Sequence, residues 1–277
     1  MTRIDQFESV FKAAARTVFT HQAVTIRKVL LVTDLADADA YATRVRSFLG
    51  VLDDAEWRIP APEHCHTVGG VLELVEAEAP DLVCTYRNLH TDAWRWPYCL
   101  GDQVEVLTQA TSVPVLLLPR PEDGIASTAT DSVMALTDHL SGDARLVSFA
   151  ARCTAAGGTL WLTHLEDERT FERYLDVISK IPEIDTEAAR RLIGARLLRE
   201  AEDYVASCQE VLRRESLDLR LAERVAFGHH LDEIRRMIGR REVDLAVLNT
   251  KDEDQLAMHG LAHPLAVETR SLPMLLL

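Results

Sequence analysis

Asp131-Ser-Val-Met-Ala-Leu-Thr-Asp138, then His139 through Thr154, then Ala155-Ala-Gly-Gly-Thr-Leu-Trp-Leu-Thr-His-Leu-Glu-Asp-Glu168, is the stretch whose reading decides the fold. Val133 to Leu136 is an apolar run of the length of a strand buried on both faces, and it ends at Thr137 and Asp138. Leu146, Phe149, Ala150 and Cys153 follow the i, i+3, i+4, i+7 spacing of a helix with one buried stripe. Gly157 and Gly158 stop it, and Leu160-Trp161-Leu162 forms a second apolar run ending at Thr163 and His164. Strand, helix and strand with short connections predict two parallel neighbours joined by a right-handed crossover.

The pattern continues outward from there. Gly228 leads into a helix, Val243 to Leu248 is a buried strand, and Gly260 precedes a helix that ends at Pro273-Met274-Leu275-Leu276-Leu277. Upstream, Lys28 to Asp34 is a strand ending in Thr-Asp, and Val45, Phe48, Leu49 and Leu52 mark a helix. Trp57 to Pro60 is a short strand, Val71, Leu74, Val75 and Glu78 lie on a helix, and Asp81 to Thr85 is a strand. Val104, Leu107 and Thr108 mark the helix after Gly101, and Val113 to Leu118 closes this half. Arg120 to Thr130, with Pro121, Gly124 and a Ser/Thr run, reads as a linker.

The two halves repeat one plan with unequal spacing. Asp34 and Asp138 stand at matching strand ends, as do Asp81 and Asp244 at matching strand starts. The second half holds an insertion between these landmarks. It supplies an extra strand and a long helix, whose stripe is Ile193, Leu197, Ala201, Tyr204, Cys208 and Val211. Residues 4–19, with Phe7, Val10, Phe11, Ala14 and Val18 on one side, predict an amphipathic helix; it lacks the basic face that anionic lipid attracts. The expected organisation is an N-terminal helical segment at 1–26, a shortened domain at 27–120, a linker at 121–130 and a full-length domain at 131–277.

The order of elements over residues 131–277 resembles the universal stress protein family. In that family an apolar strand ends in Asp and a second ends in His plus an aliphatic residue. The resemblance implies an α/β fold of two tandem doubly wound parallel-sheet domains, Rossmann-like, with the first one shortened. It also implies that Val113–Leu118 and Pro273–Leu277 pair edge to edge within the chain, and that the molecule can dimerise further.

Composition narrows the function classes. A formal net charge of −14 argues against nucleic acid as the main partner, since that binding rests on neutralising phosphates with Lys and Arg. No apolar run reaches the length of a membrane span, and the N-terminus lacks the order of a signal peptide. Cys65, Cys84, Cys99, Cys153 and Cys208 form no CxxC pair and read as small residues in a reducing compartment, so the expected location is the cytoplasm.

In an open parallel sheet, ligands bind beyond the carboxyl ends of the strands where strand order reverses. The resemblance places an adenine nucleotide, ATP or AMP, there in the second half, against Asp138, Leu165, Gly228, Asn249, Thr250 and Gly260. The family's phosphate loop is Gly-x-x-Gly, nine residues, then Gly-Ser or Gly-Thr. Here Asn249 to Asp254 replaces the first two glycines and Leu261 replaces the hydroxyl residue. Asp252, Glu253 and Asp254 repel a triphosphate unless Lys251 or a metal intervenes. In the first half, Tyr86-Arg87-Asn88 replaces the glycines and Asp102 follows Gly101. Asp34 and Asp138 are equally suited to capping the next helix and to meeting a ligand.

Other constellations point less far. His64-Cys65-His66 and His229-His230 fall at equivalent places, but adjacent residues rarely converge on one metal ion. His259 and His263 have the spacing of a zinc-protease helix without its glutamate. Trp94-Arg95-Trp96-Pro97-Tyr98 reads as a loop that plugs the first half's crevice or meets a partner. The expected function is a non-enzymatic stress-response or regulatory protein that senses a small ligand in its second domain. Two alternatives stay open: a protein-interaction module without ligand, and a weak Mg²⁺-dependent ATP-hydrolysing protein.

Overall fold

In a computed structural model, residues 18–96, 99–137, 143–240, 243–250 and 262–277 are described. The first half contains β1 (Lys28–Leu31), α1 (Ala38–Phe48), β2 (Glu56–Arg58), α2 (Val68–Glu78), β3 (Leu82–Tyr86), α3 (Asp102–Ala110) and β4 (Val115–Leu118). The second contains β5 (Ser132–Thr137), α4 (Ala144–Cys153), β6 (Gly158–Asp167), α5 (Glu168–Ile178), α6 (Thr186–Arg214), β7 (Leu219–Gly228), α7 (His230–Gly239), β8 (Leu245–Leu248), α8 (Ala262–Glu268) and β9 (Met274–Leu276).

Among the described residues one nine-stranded sheet runs β2-β1-β3-β4-β9-β8-β5-β6-β7. Pairing is parallel within each half and antiparallel at the seam, where Val115, Leu116 and Leu117 lie opposite Leu276, Leu275 and Met274. The expected pairing of the two last strands is thus observed. The second half has the full order β7-β6-β5-β8-β9, whereas the first lacks a counterpart of β7 and of the helices leading to it. The fold is α/β with two doubly wound halves, the first shortened.

The apolar runs become the central strands because both of their faces are covered. β3, β4, β8 and β9 are buried along their whole length. Each buried Val or Leu contributes roughly 1.5–3 kcal/mol relative to exposure, which is why these short strands hold. Carboxylates set several helix starts: Asp37 accepts from Ala40 N–H at 3.0 Å, Asp143 from Leu146 N–H at 2.9 Å, and Asp185 from Glu187 and Ala188 N–H at 3.0 Å each. Asp167 ends β6 and also caps α5, so the strand passes into the helix without a loop.

Two aspartates singled out by the repeat do the same job in each half. Asp81 accepts from Arg27 and Lys28 N–H at 2.8 and 3.0 Å, and its own N–H donates to Lys28 O. Asp244 accepts from Ser132 N–H at 2.8 Å, and its N–H donates to Ser132 O. Each fastens the start of its half's first strand to the start of the neighbouring strand.

Some elements differ from expectation. The second strand of the opening stretch continues past His164 to Asp167, paired with β7 up to Gly228. The long helix is preceded by α5, and the pair is separated by the Pro182 turn. Residues 18–27 have no regular structure and strap the halves together. Phe19 N–H donates to Ser207 Oγ at 3.0 Å and Gln22 N–H to Ser148 Oγ at 3.1 Å, and Ile26 is buried. The rest of the expected N-terminal helix lies outside the described residues.

Candidate functional site

Strand order reverses between β5 and β8 in the second half and between β1 and β3 in the first. Both carboxyl ends are crevices of the kind expected to hold a ligand.

In the second half, Asp138 and Gly260 lie outside the described residues, as do the acidic run Asp252 to Asp254 and His259. Leu165 is buried in β6 at the point where, among the described residues, pairing with β5 has stopped and only β7 remains beside it. Asn249 donates from Nδ2 to Asp143 Oδ2, joining the end of β8 to the first turn of α4. Burial raises the Asp143 carboxyl above the usual carboxylate range, against the opposing pull of Leu146 N–H, Asn249 and Arg145. Thr250 serves the fold: its Oγ1 donates to Leu277 O at 2.8 Å and its N–H to the same oxygen at 3.0 Å. Gly228 ends β7 on the outer edge, two strands from β5, or about 10 Å at the usual strand spacing. A Cβ there would meet nothing within 4 Å. The structure therefore brings Asn249 and Thr250 together at the end of β8, with Leu165 buried two strands away in β6 and Gly228 on the outer edge.

Beside Thr250 opens a cavity of about 250 Å³, lined by Thr108, Thr111, Ser112, Val113, Val115, Arg145, Thr250, Leu276 and Leu277. Arg145 lies on the first turn of α4, next to the Asp143 cap. Both halves contribute walls, so sequence comparison of single domains does not reveal this cavity.

The first half builds a larger crevice of about 580 Å³, lined by Asp34, Leu35, Tyr86, Asn88, His90, Thr91, Asp92, Arg120, Pro121 and Glu122. Asp34 does not cap α1, since Asp37 does. Its carboxylate accepts from the Tyr86 hydroxyl and, at 2.8 Å, from His90 N–H. The Tyr86 oxygen also lies 3.2 Å from Thr33 Oγ1 and accepts from Asp34 N–H at 3.0 Å. Burial raises the Tyr86 phenol, and the Asp34 carboxylate adds to the rise, so the hydroxyl stays a donor.

The turn after β3 occupies the place of the glycine loop. Asn88 and His90 both have left-handed backbone, with φ of +63° and +56°. Asn88 N–H donates to Leu100 O at 2.7 Å and its Nδ2 to Cys99 O at 3.2 Å. Gly101, at φ +94°, packs so closely that a Cβ would come 2.9 Å from Asn88 Cα. Trp96 is solvent-exposed rather than plugging the crevice, and Pro97 and Tyr98 lie outside the described residues.

Arg87 lies between the crevice and the seam. Its buried guanidinium donates to Leu118 O at 3.0 Å, Ala266 O at 3.2 Å, Thr269 O at 3.2 Å and Leu272 O at 3.3 Å. Burial pulls it down to about 9, which still leaves the group charged at neutral pH. Burial pushes the Cys65 thiol up to about 11 and Cys153 and Cys208 to about 12, and it also raises Cys84. Among the described residues no three His, Cys, Asp or Glu side chains group as metal ligands, and no helix is long and apolar enough to cross a membrane.

The same architecture occurs in a solved structure of a candidate universal stress protein from Pseudomonas aeruginosa UCBPP-PA14. It is 15% identical, with a TM-score of 0.51, over 91% of this chain and 93% of that one. The fold is that of universal stress proteins. Lower scores relate the chain to a functionally unknown protein from Pseudomonas aeruginosa PAO1 (14% identity, 91% and 92% of the two chains, TM-score 0.49). They also relate it to a universal stress protein from Archaeoglobus fulgidus DSM 4304 (13%, 91% and 88%, TM-score 0.44). No family model and no curated protein matches the sequence.

Proposed function

We propose that the chain is a non-enzymatic, cytoplasmic regulatory protein of the stress-response kind whose second half senses an adenine nucleotide or a related anionic ligand. The observation that carries this reading is the cavity at the end of β8, lined by Arg145 together with the hydroxyl residues Thr108, Thr111, Ser112 and Thr250. The Arg145 guanidinium can receive a phosphate that the missing glycine loop no longer cradles. At about 250 Å³ the cavity accepts a phosphate-sized part of a ligand.

Thermal unfolding with ATP, ADP and AMP, each with and without Mg²⁺, tests this, because a ligand of the folded state raises stability by mass action. AMP should raise the midpoint, and Arg145→Ala should abolish the rise while leaving the unliganded midpoint within about 2 °C, as expected for an exposed side chain. No shift with any nucleotide would overturn the proposal. That result would favour the protein-interaction reading, which has its own support in the exposed Tyr174, Val177, Ile181, Ile184, Leu192 and Ile193 of the α5–α6 hairpin.

A further inference from the structure

The strap that precedes β1 begins on α6. Phe19 N–H donates to Ser207 Oγ at 3.0 Å, and its ring meets Tyr204 edge-on with 6.3 Å between centroids. Phe19 is buried, whereas Val18 beside it is 64% exposed. Residues 1–17 lie outside the described residues, and the chain that carries them sets out from this point on α6.

Ser207 ends a stripe of α6 that runs Ile193, Arg196, Glu200, Asp203, Ser207, spaced three and four residues apart along one helix face. This stripe is distinct from the one that α6 buries through Ala201, Tyr204, Val205 and Cys208. Its far end is apolar and uncovered: Ile193 is 39% exposed and its neighbour Leu192 is 72% exposed. Arg196 and Glu200 pair with each other at 2.9 Å, and both are more than half exposed.

The N-terminal sequence carries the same pattern. Ile4, Phe7, Phe11, Ala14 and Val18 repeat at the identical spacing, and both stripes span fourteen residues, about 21 Å of helix. Charge fixes the direction. Between Ile4 and Val18, acidic Asp5 and Glu8 precede basic Lys12 and Arg16; between Ile193 and Ser207, basic Arg196 and Arg199 precede acidic Glu200, Glu202 and Asp203. Laid parallel with Val18 level with Ser207, opposite signs meet along the whole contact, which selects the partner and its register. Laid the other way from Ser207, the segment would run past Arg214, where α6 ends.

We propose that residues 4–17 dock as a helix parallel to α6, so that the occupant of this face is the chain's own N-terminus. Ile4 and Phe7 fall within one turn of Ile193, Phe11 falls within one turn of the half-buried Leu197, and Lys12 and Arg16 lie beside Glu200 and Asp203. The anchor at Phe19 makes the docking intramolecular, at an effective concentration in the millimolar range. A protein that binds α6 at Leu192 and Ile193 has first to displace this helix.

Amide hydrogen exchange of the full chain, resolved by mass spectrometry, provides the test. Residues 7–17 should exchange at least about tenfold more slowly than an unstructured peptide of the same sequence, equally at low and high protein concentration. Leu192→Asp with Ile193→Asp should remove that protection and leave exchange in β5 and β8 unchanged, since both side chains are exposed. Lys12→Glu with Arg16→Glu should weaken it, and adding Glu200→Lys with Asp203→Lys to that chain should restore it. Residues 7–17 unprotected in the wild type, protection that survives Leu192→Asp with Ile193→Asp, or a charge-swapped chain left unprotected would each overturn the proposal. Protection that rises with protein concentration would overturn it as well, and would assign this face of α6 to a second copy.

Discussion

Replacing Arg87 by Met keeps the length of the side chain and removes four hydrogen bonds, one to Leu118 within the first half and three that reach across to Ala266, Thr269 and Leu272. Hydrogen bonds from a charged donor contribute about 1.5–3 kcal/mol each, so the gross loss is roughly 6–12 kcal/mol. Removing the buried cation returns several kcal/mol of desolvation cost, which leaves a net destabilisation of about 4 kcal/mol. For a chain somewhat larger than 250 residues this corresponds to a fall in Tm of roughly 8–12 °C. Arg87→Lys retains the charge but concentrates three donors on one atom, which cannot span four separated carbonyls; about half of the loss should remain. Because the carbonyls belong to both sides of the seam, the Met variant should also show a lower urea m-value, as the halves begin to unfold separately. Urea and thermal unfolding followed by circular dichroism measure both quantities. A Met variant within 2 °C of the wild type, or a Lys variant fully equal to it, would refute the view that the guanidinium clamps the two halves.

Two further outcomes follow from the same geometry. Burial raises the Asp143 carboxyl in the folded chain, so this group's contribution is greatest at low pH and is lost as pH rises through its folded pKa; Asp143→Asn should flatten the change in urea stability between about pH 4 and 7. Leu116, buried in β4 opposite Leu275, should cost about 2–5 kcal/mol on replacement by Ala, read from the shift in urea midpoint.

Strands covered on both faces were legible because burial demands unbroken apolar runs, and Val133–Leu136, Asp81–Thr85 and Val243–Leu248 carry that signature directly. The extension of β6 was not, because Leu165, Glu166 and Asp167 mix one buried with two polar residues, and a strand that turns straight into a helix through a capping Asp leaves no loop to read. The break between α5 and α6 falls at Pro182, and the longer apolar stripe of α6 hides the shorter helix before it. In the site, the Thr-Asp strand end was visible and its partners were not. Tyr86 reaches Asp34 only because the register sets Leu31 beside Cys84, which brings Thr33 level with Tyr86 across fifty-two positions of sequence separating Asp34 from it. Arg87 looked like a substitute for a glycine, since three of its four acceptors lie about 180 residues further along the chain. What the first-half residues build in place of a glycine loop depends on backbone conformation at Asn88 and His90, which side-chain identity alone does not specify.

The antiparallel contact between β4 and β9 joins two sheets that a single polypeptide already tethers through the short segment between Leu118 and Ser132. Tethering by a short linker gives an effective concentration in the millimolar range, so dilution cannot part the halves and their assembly is first order. The midpoint of unfolding should then be the same at any protein concentration. Covalent joining also frees each half from having to match its neighbour: a residue changed in one crevice is not duplicated in the other. The two crevices of the chain are thus free to differ in lining, as Asp34, Tyr86 and His90 in one and Arg145 with Thr250 beside the other do.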